Sequence, residues 1–387
     1  MRPPEHVAAA LRELPRPTCA YVYDTGALRT RAAAVRAALP AGAVLLYAVK
    51  ANGHPDVVRT LAQACDGLEV ASGGELDLAV AAGARRIAFA GPAKTDAELV
   101  AAVTAGAQIN VESAHELRRL AQAARVAGAT ADITVRVNRA SGALPGTHAM
   151  TGVPTPFGVD ENQLPDVLEL AATMPDIRVR GFHLHAVSNN LDAAAHAAFV
   201  AGAIAWSVAA AARHRVDLRI VNVGGGLGVD YATDATIDLA TLRAGLAGAR
   251  VPDGVELVFE PGRILAADAG WYAAEVLDLK RTHGRTFAVL RGGTHHFRLP
   301  AAWGYSHPFT VLPVDDWPYA VPRPEVTDTD VDAAGELCTP RDVLARGRHV
   351  DRLRAGDLLV FGRTGAYGWE ISHHDFLRHP PPEFVVV

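Results

Sequence analysis

Short apolar runs rich in β-branched residues alternate with longer stretches of helical periodicity between residues 42 and 264. This alternation is typical of repeated strand–helix units, which pack as a parallel sheet with helices outside it. Eight such runs are present, and eight units favour a closed (β/α)8 barrel of the TIM type. The predicted barrel strands cover residues 44–50, 67–72, 87–91, 109–112, 133–138, 179–185, 220–224 and 255–260.

Three of the predicted helices begin with a capping box, in which a hydroxyl side chain and a Glu three residues later satisfy free backbone donors. The three pairs are Ser72 with Glu75, Thr95 with Glu98, and Ser113 with Glu116. They mark the points at which the second, third and fourth barrel strands are followed by helices.

The helical periodicity ends after residue 264, and the chain continues as apolar runs separated by Gly and Pro turns. We therefore predict a barrel formed by residues 30–265 and a second, β-rich domain, a sandwich or small barrel, formed by residues 1–29 and 266–387. The run 18–23 precedes the first barrel strand, so we expect it to join the second domain. The other strands predicted there are 271–279, 286–290 and 357–361.

The connection 139–157 is long, rich in Gly, Pro and Thr, and without apolar periodicity. Loops of this length inside a compact domain are commonly functional or mobile. We predict that it forms a mobile cover over the site around Lys50.

Composition excludes several classes of function. The 387 residues are 50% hydrophobic with a net charge of −5, and their positive charges are scattered, so we expect no nucleic-acid partner. The chain shows neither an apolar signal segment nor a run approaching the roughly 20 apolar residues of a membrane span, so we expect a cytoplasmic protein without a membrane partner. The cysteines Cys19, Cys65 and Cys338 lack metal-type spacing, and we expect no metal site.

Lysine usage points to one position. The chain has 37 Lys and Arg residues, of which only Lys50, Lys94 and Lys280 are lysine. Lys50 follows an apolar run in Tyr47-Ala48-Val49-Lys50-Ala51-Asn52. Only an amine forms a Schiff base with an aldehyde, since Arg stays protonated at any working pH. The pattern therefore indicates a lysine that binds pyridoxal 5'-phosphate covalently, although Lys50 as an ordinary lysine after a strand is the simpler interpretation.

Other strand ends carry groups that fit the same cofactor, because reactive groups gather at the C-terminal ends of barrel strands. A glycine run lets backbone amides approach phosphate oxygens, and an Arg or a Ser adds further donors. A carboxylate beside the pyridine nitrogen keeps the ring protonated, and an imidazole stacks on its face. The residues in these roles are Gly224, Gly225, Gly226, Gly262, Arg263, Ser188, Glu260 and His185.

Each of these residues also has an ordinary structural interpretation. Three glycines commonly form only a tight turn, a His on a strand is commonly a hydrogen-bonded core residue, and Pro-Gly after Glu260 is usual in loops. Their joint placement on successive strand ends of one barrel favours the cofactor site.

The same motifs resemble those of the fold-type III pyridoxal-phosphate decarboxylases, which include the diaminopimelate, ornithine and arginine decarboxylases. The resemblance covers nearly the whole chain, with matching segments at 47–52, 71–76, 183–188, 224–226, 260–263, 338 and 365–367. It implies that Lys50 carries the cofactor, that His185 stacks on the ring and that Tyr367 binds the phosphate. It further implies a homodimer with shared sites, in which Cys338 of the neighbouring subunit protonates the α-carbon.

The substrate prediction rests on a departure from that family. Members that act on basic amino acids carry an acidic residue after the catalytic cysteine, whereas this chain has Thr339. Cationic and hydrogen-bonding groups around the same segments instead suit distal carboxylates, because Arg binds a carboxylate bidentately. The predicted substrate-binding residues are Arg298, His296, Thr339, Arg341 and Asp342; His295, His373 and His374 lie in the same segments.

The segments 183–192 and 337–344 resemble the branch found in citrate-based siderophore pathways, as in staphyloferrin B biosynthesis. Those enzymes decarboxylate a citryl conjugate of L-2,3-diaminopropionate, and the resemblance implies the same substrate here. Decarboxylation of diaminopimelate or of another basic amino acid is the nearest alternative.

Other functions stay open at this point. Alanine racemases share the barrel and a similar lysine, but they use an Arg beside the pyridine nitrogen and a Tyr as second acid–base group, where this chain has Glu260 and Cys338. A non-catalytic pyridoxal-phosphate carrier would lack the second domain. A catalytically inactive sugar-binding or scaffold barrel would leave Lys50, Glu260 and Cys338 without a role.

Overall fold

The computed structural model describes residues 2–142, 144–233 and 235–387. The chain divides into two compact units, which are described separately. The barrel unit contains Arg29–Val229 and Thr236–Leu265, and the sheet unit contains Met1–Leu28, Asp230–Ala235 and Ala266–Val387.

Eight parallel strands form the barrel unit, and the prediction of a (β/α)8 barrel is confirmed. Each strand pairs with the next in the chain, the eighth pairs with the first, and the pairing of the fourth with the fifth completes the closure. The strands are Val44–Ala48, Gly67–Val70, Ile87–Phe89, Gln108–Val111, Ala131–Asn138, Ile177–His183, Ile220–Asn222 and Glu256–Phe259. Their apolar side chains are buried on both faces, as is usual for parallel strands covered by helices.

Helices follow the strands of the barrel and cover them. After Thr25–Ala38, which precedes the first strand, they are Pro55–Ala64, Gly73–Ala81, Asp96–Thr104, Ala114–Ala127, Leu164–Ala172, Ala193–His214, Leu239–Leu246 and the short Arg263–Ala266. Single 3-10 turns lie at Val49–Ala51, Glu161–Gln163, Ala267–Ala269 and Phe376–Arg378.

Of the three predicted capping boxes, only Thr95 with Glu98 forms in full. Ser72 and Ser113 cap their helices as predicted, by accepting from the backbone N–H three residues later. The partner glutamates, however, accept from the amides of Ala71 and Glu112, one residue before each cap.

Helix Ala193–His214 corrects an expectation, because it is 22 residues long and apolar enough to cross a membrane by length and composition. Half of its most apolar window is buried, and it packs on the sixth and seventh barrel strands. A core helix of a barrel has these properties too, so its composition follows from packing.

The sheet unit consists mainly of an antiparallel eight-stranded sheet. Its strands are Cys19–Tyr23, Gly270–Thr282, Arg285–Leu290, Phe309–Leu312, Glu325–Ala334, Val343–Arg354, Leu358–Phe361 and Glu383–Val386, and its helices are Glu5–Arg12 and Leu299–Trp303. Cys19–Tyr23 pairs with Gly270–Thr282, so the N-terminal strand joins this unit as predicted. On its other side it pairs in parallel with Glu383–Val386.

The long connection after the fifth barrel strand is tied to the segment that follows the sixth. His148–Ala149 and Val187–Ser188 form a small antiparallel ribbon, and Arg139 N–H donates to Thr151 Oγ1 at 2.8 Å. The connection therefore lies beside the segment that carries His185. Its predicted mobility stays a prediction, and Ala143 within it is outside the described residues.

Candidate active site

Lys50 lies just beyond the first barrel strand, in the 3-10 turn Val49–Ala51. The register pairs Ala48 with Glu69 on the second strand, and the Lys50 ammonium makes an ion pair with the Glu69 carboxylate. The Glu69 side chain is only 2% exposed, whereas that of Lys50 is 45% exposed. Burial raises the pKa of the Glu69 carboxyl and the charge of Lys50 opposes the rise, with a net pKa above the usual value.

The other two lysines occupy different settings. Lys94 is buried, and its ammonium donates to Gly91 O at 2.6 Å, Asn110 O at 2.9 Å and Glu116 Oε1 at 2.6 Å. Those bonds fully occupy its three N–H donors. Lys280 lies on a strand of the sheet unit with a side chain that is 54% exposed. Lys50 is therefore the lysine that lies at a barrel strand end with an accessible amine.

A second buried network joins the sixth, seventh and eighth barrel strands. His183 and Asn222 are register partners, and both reach the Glu260 carboxylate: Asn222 Nδ2 donates to Oε1 at 2.5 Å, and His183 Nε2 lies 3.2 Å from Oε2. Burial raises the pKa of Glu260, but the charge of His183 and the hydrogen bonds outweigh it, so the net pKa lies below the usual value. Glu260 is therefore held as a carboxylate.

His185 lies two residues further along, with its ring nearly parallel to that of His183 at a centroid distance of 6.3 Å. The Gly225 N–H donates to His185 Nδ1 at 3.1 Å. Burial and the charge of Arg136 lower the pKa of His185 well below its usual value. The ring is therefore neutral, half-buried and fixed in orientation, as a group that stacks on a planar ligand must be.

The three glycines after the seventh strand leave room that no other residue would leave. Gly224 adopts φ +67°, and a Cβ there would lie 2.5 Å from His185 Nδ1. At Gly225 a Cβ would lie 2.5 Å from the Glu260 carbonyl oxygen. The turn therefore requires glycine, and its backbone lies open to an anionic group. Ser188 is half-buried in the adjacent ribbon, and Arg263 is buried at the start of the last barrel helix.

These residues fit pyridoxal phosphate by their chemistry. Lys50 offers an amine, Glu260 a carboxylate kept ionised for the pyridine nitrogen, His185 a neutral ring face, and Gly224–Gly226 a backbone cradle for phosphate. The sequence prediction did not include Glu69, His183 or Asn222 in the site. Their contacts are with predicted residues, Glu69 with Lys50 and both His183 and Asn222 with Glu260, and they depend on a strand register that the sequence does not show.

Cys338 lies in the sheet unit, in an exposed turn between two long strands. Thr339 closes that turn, because its N–H donates to Leu337 O at 2.8 Å and its Oγ1 accepts from Arg341 N–H at 3.3 Å. The side chain of Arg341 is exposed. The cysteine thiol is thus accessible, and the turn that holds it is ordered by its own backbone.

Asp342 has a structural task in that turn. Its carboxylate accepts from Thr294 N–H at 2.6 Å and from Leu337 N–H at 2.8 Å, and the residue is 1% exposed. A direct contact with substrate, as the sequence predicted, would compete with those bonds. The described contacts make Asp342 a residue that positions the Cys338 turn, and its predicted substrate contact stays a prediction.

The contacts of His296 oppose the positive charge that its predicted role in carboxylate binding requires. It is 1% exposed, its Nδ1 lies 3.2 Å from Cys19 Sγ, and its Nε2 lies 3.1 Å from Pro380 O. Burial and the neighbouring His295 lower its pKa to about 3. A neutral, internally bonded imidazole lends no charge to carboxylate binding.

Two further predicted residues lie in the sheet unit on accessible segments. Arg298 precedes helix Leu299–Trp303, and its backbone N–H donates to Ser372 Oγ at 3.0 Å. Tyr367 is half-buried with φ +56°, a left-handed backbone uncommon outside glycine. Its predicted contact with the phosphate stays a prediction.

Known proteins are similar to this chain over nearly its whole length. Residues 25–267 match the family model described as "Pyridoxal-dependent decarboxylase, pyridoxal binding domain". The chain is 42% identical to the 2-[(L-alanin-3-ylcarbamoyl)methyl]-2-hydroxybutanedioate decarboxylase of Staphylococcus aureus over 100% of this chain and 98% of the relative. It is 36% identical to the diaminopimelate decarboxylase of Deinococcus radiodurans over 95% of this chain and 89% of the relative. The diaminopimelate decarboxylase structure from Helicobacter pylori, complexed with L-lysine, superposes with a TM-score of 0.84 at 25% identity, covering 96% of this chain and 92% of that one.

Proposed function

Because this chain belongs to the pyridoxal-dependent decarboxylases, we propose that it removes the α-carboxyl group from a citryl conjugate of L-2,3-diaminopropionate during siderophore biosynthesis. It is a pyridoxal-phosphate-dependent carboxy-lyase. The observation that carries the substrate is the full-length similarity to the Staphylococcus aureus decarboxylase. The name of that relative describes citrate joined by an amide bond to the side-chain nitrogen of diaminopropionate.

Two features of this chain support a substrate with distal carboxylates. Thr339 follows Cys338 where members acting on basic amino acids carry an acid, so a distal ammonium would lack its partner. The guanidinium groups of Arg298 and Arg341 have no hydrogen-bond or ion-pair partner among the described residues. An unpaired guanidinium presents a planar fork of donors that matches a carboxylate.

The barrel residues supply the reaction machinery. When bound, pyridoxal phosphate provides an electron sink for the pair left at the α-carbon as carbon dioxide departs. Lys50 holds the cofactor through its amine, and Glu69 fixes the position of that amine. Glu260, held ionised by His183 and Asn222, would pair with the pyridine nitrogen and keep it protonated. His185 would stack on the ring, and the glycine turn would bind the phosphate.

Cys338 returns a proton to the α-carbon in this proposal. Its side chain is exposed, and the bonds of Asp342 fix the turn that carries it. A thiol is a suitable donor because it gives up its proton more readily than a hydroxyl.

The test is carbon dioxide release from four substrates offered in parallel: citryl-diaminopropionate, diaminopimelate, ornithine and lysine. We expect turnover of the citryl conjugate at a kcat/KM far above the other three. Turnover of diaminopimelate instead would keep the fold and the cofactor but overturn the substrate proposal, and inversion without carbon dioxide release would identify a racemase.

We also propose that the active form is a homodimer in which each site combines Lys50 of one subunit with Cys338 of the other. Mixing Lys50→Ala with Cys338→Ala protein tests this directly. Random exchange between two inactive homodimers would restore about a quarter of the wild-type sites if the sites are shared, and none if each site lies within one chain.

A further inference from the structure

One cluster in the sheet unit is not explained by the contacts of the fold. His373 follows Ser372, whose hydroxyl accepts from the backbone N–H of Arg298 at 3.0 Å. This bond ties two distant segments of the unit together and brings both side chains into the same region. The His373 Nδ1 atom is buried without a hydrogen-bond partner among the described residues, and Arg298 is exposed with an unpaired guanidinium.

A buried unpaired ring nitrogen is destabilising, because it has lost its hydrogen bond to water and gained none in the protein. Native proteins usually satisfy such atoms, and the exceptions commonly involve a ligand or water. Arg298, near His373, has a guanidinium without a partner among the described residues. A ligand that accepted hydrogen bonds from both side chains would be an anion with at least two acceptor oxygens. A carboxylate has this chemistry.

We propose that Arg298 and His373 together bind a distal carboxylate of the substrate, and that His373 takes up a proton as that carboxylate binds. This inference rests on the proposed function for the identity of the ligand, a di- or tricarboxylate. His373 thereby has a role in substrate specificity. His296 does not belong to this carboxylate site, because both of its ring nitrogens already have partners.

The charged surroundings of His373 explain the proton uptake. Burial is the largest cause that lowers the pKa of His373. The charges of Arg298, His295 and His374 lower it further, and the charge of Asp342 raises it. The free imidazole is therefore neutral near pH 7. A bound carboxylate favours the imidazolium and raises that pKa, so affinity for the carboxylate increases as pH falls from the raised value towards the lowered one.

The test is calorimetric titration of the holoenzyme with citrate, at about pH 6.5 and about pH 8, in two buffers of different ionisation heat. Citrate itself gains or loses protons near the lower pH, and this contribution is common to wild type and variant, so the difference between the two proteins reports on His373. Wild-type protein is expected to take up a fraction of a proton more per citrate than His373→Gln does. The variant is expected to bind citrate about tenfold more weakly than wild type at the lower pH, with a much smaller difference at the higher pH. Arg298→Ala is expected to weaken citrate binding at both pH values.

His349→Gln is the matched control, since His349 is an exposed histidine of the same unit with a side chain that is 55% exposed. His373→Asn provides a second variant if the Gln side chain alters folding, which the thermal midpoint reports. Proton uptake unchanged in both His373 variants, or absence of citrate binding in wild type, overturns the inference. Lack of turnover of the citryl conjugate with citrate-linked proton uptake intact would overturn the proposed function and leave the carboxylate site standing.

Discussion

Charged groups at the barrel site are paired with one another, whereas the predicted substrate-binding arginines of the sheet unit are not. Lys50 contacts Glu69, and His183 contacts Glu260, with every partner nearly buried except Lys50. Arg298 and Arg341 are exposed and have no side-chain partner among the described residues. The charged residues of the barrel site are thus paired, whereas these two arginines of the sheet unit are not, although other arginines of that unit form ion pairs.

The difference matches what we propose that each group of residues binds. A buried pair that loses one member leaves an uncompensated charge, at a cost of roughly 3–5 kcal/mol, so a paired network fixes its geometry before the cofactor arrives. An exposed arginine contributes little to folding, typically within about 0.5 kcal/mol, and its charge remains available for an incoming carboxylate. Substitutions in the barrel should therefore damage the chemistry, and those at the arginines should damage recognition.

Replacing Lys50 gives the largest expected effect. Lys50→Ala removes the amine that holds the cofactor, and kcat should fall by roughly 10⁴-fold or more. Lys50→Arg retains the charge opposite Glu69 without a usable amine, so it should be equally inactive. Pyridoxal-phosphate content and carbon dioxide release are the measurements, with Lys280→Ala as the control. Full activity in Lys50→Ala would end the account of the barrel site.

Cys338 tests whether the sheet unit also contributes chemistry. Cys338→Ala should lower kcat by roughly 10³-fold, the usual size of a general-acid contribution, while KM changes little. Because the side chain is exposed, the thermal midpoint should stay close to that of wild type. The hydroxyl of Cys338→Ser is less acidic than a thiol, so the kcat of this variant should lie between that of wild type and that of Cys338→Ala. An unchanged kcat in the Ala variant would show that the proton comes from another group.

A substitution at Glu260 tests the buried network that this residue forms with His183 and Asn222. Glu260→Gln keeps the shape but removes the charge that pairs with the pyridine nitrogen, so kcat should fall by roughly 10²-fold. Glu256→Gln is the matched control, since Glu256 lies at the other end of the same strand and pairs with the half-exposed Arg86. Equal losses in the two variants would attribute the effect to stability, which urea unfolding of both proteins would reveal.

Much of this fold follows from local pattern. All eight barrel strands were predictable, because buried parallel strands are continuous apolar runs. Most of the predicted ends extend one or two residues too far, because strand pairing stops before the strand-end residues such as Lys50, His185 and Glu260. The terminal elements Glu5–Arg12 and Glu383–Val386 were missed, because their short patterns gain stability only from packing on the sheet unit.

The site was predictable only where one residue type decides its chemistry. Lys50 and the three glycines are such cases. Glu69 and Asn222 were not, because their roles depend on register: Glu69 lies opposite Ala48, and Asn222 opposite His183. His296 was misjudged for a related reason, since its charge depends on burial that sequence does not show.

Arg298 gives the smallest expected effect and bears most directly on the comparison between the two regions. Removing an exposed, unpaired guanidinium should leave folding nearly unchanged. Arg298→Ala should raise KM for citryl-diaminopropionate by roughly tenfold or more, as expected for a lost hydrogen bond to a charged group. KM for a neutral amino acid should change far less, because that substrate has no distal carboxylate to lose its partner.

Arg298→Lys sharpens this result. Lysine keeps the positive charge but loses the planar fork, so an intermediate KM would show that bidentate geometry matters beyond charge. Arg118→Ala, on the exposed face of a barrel helix, controls for the loss of one positive charge from the whole chain. If KM rises equally for the citryl and the neutral substrate, Arg298 acts through the structure around Ser372 rather than on a carboxylate. In that case the contrast between a paired catalytic region and an unpaired recognition region would have to rest on Arg341 alone.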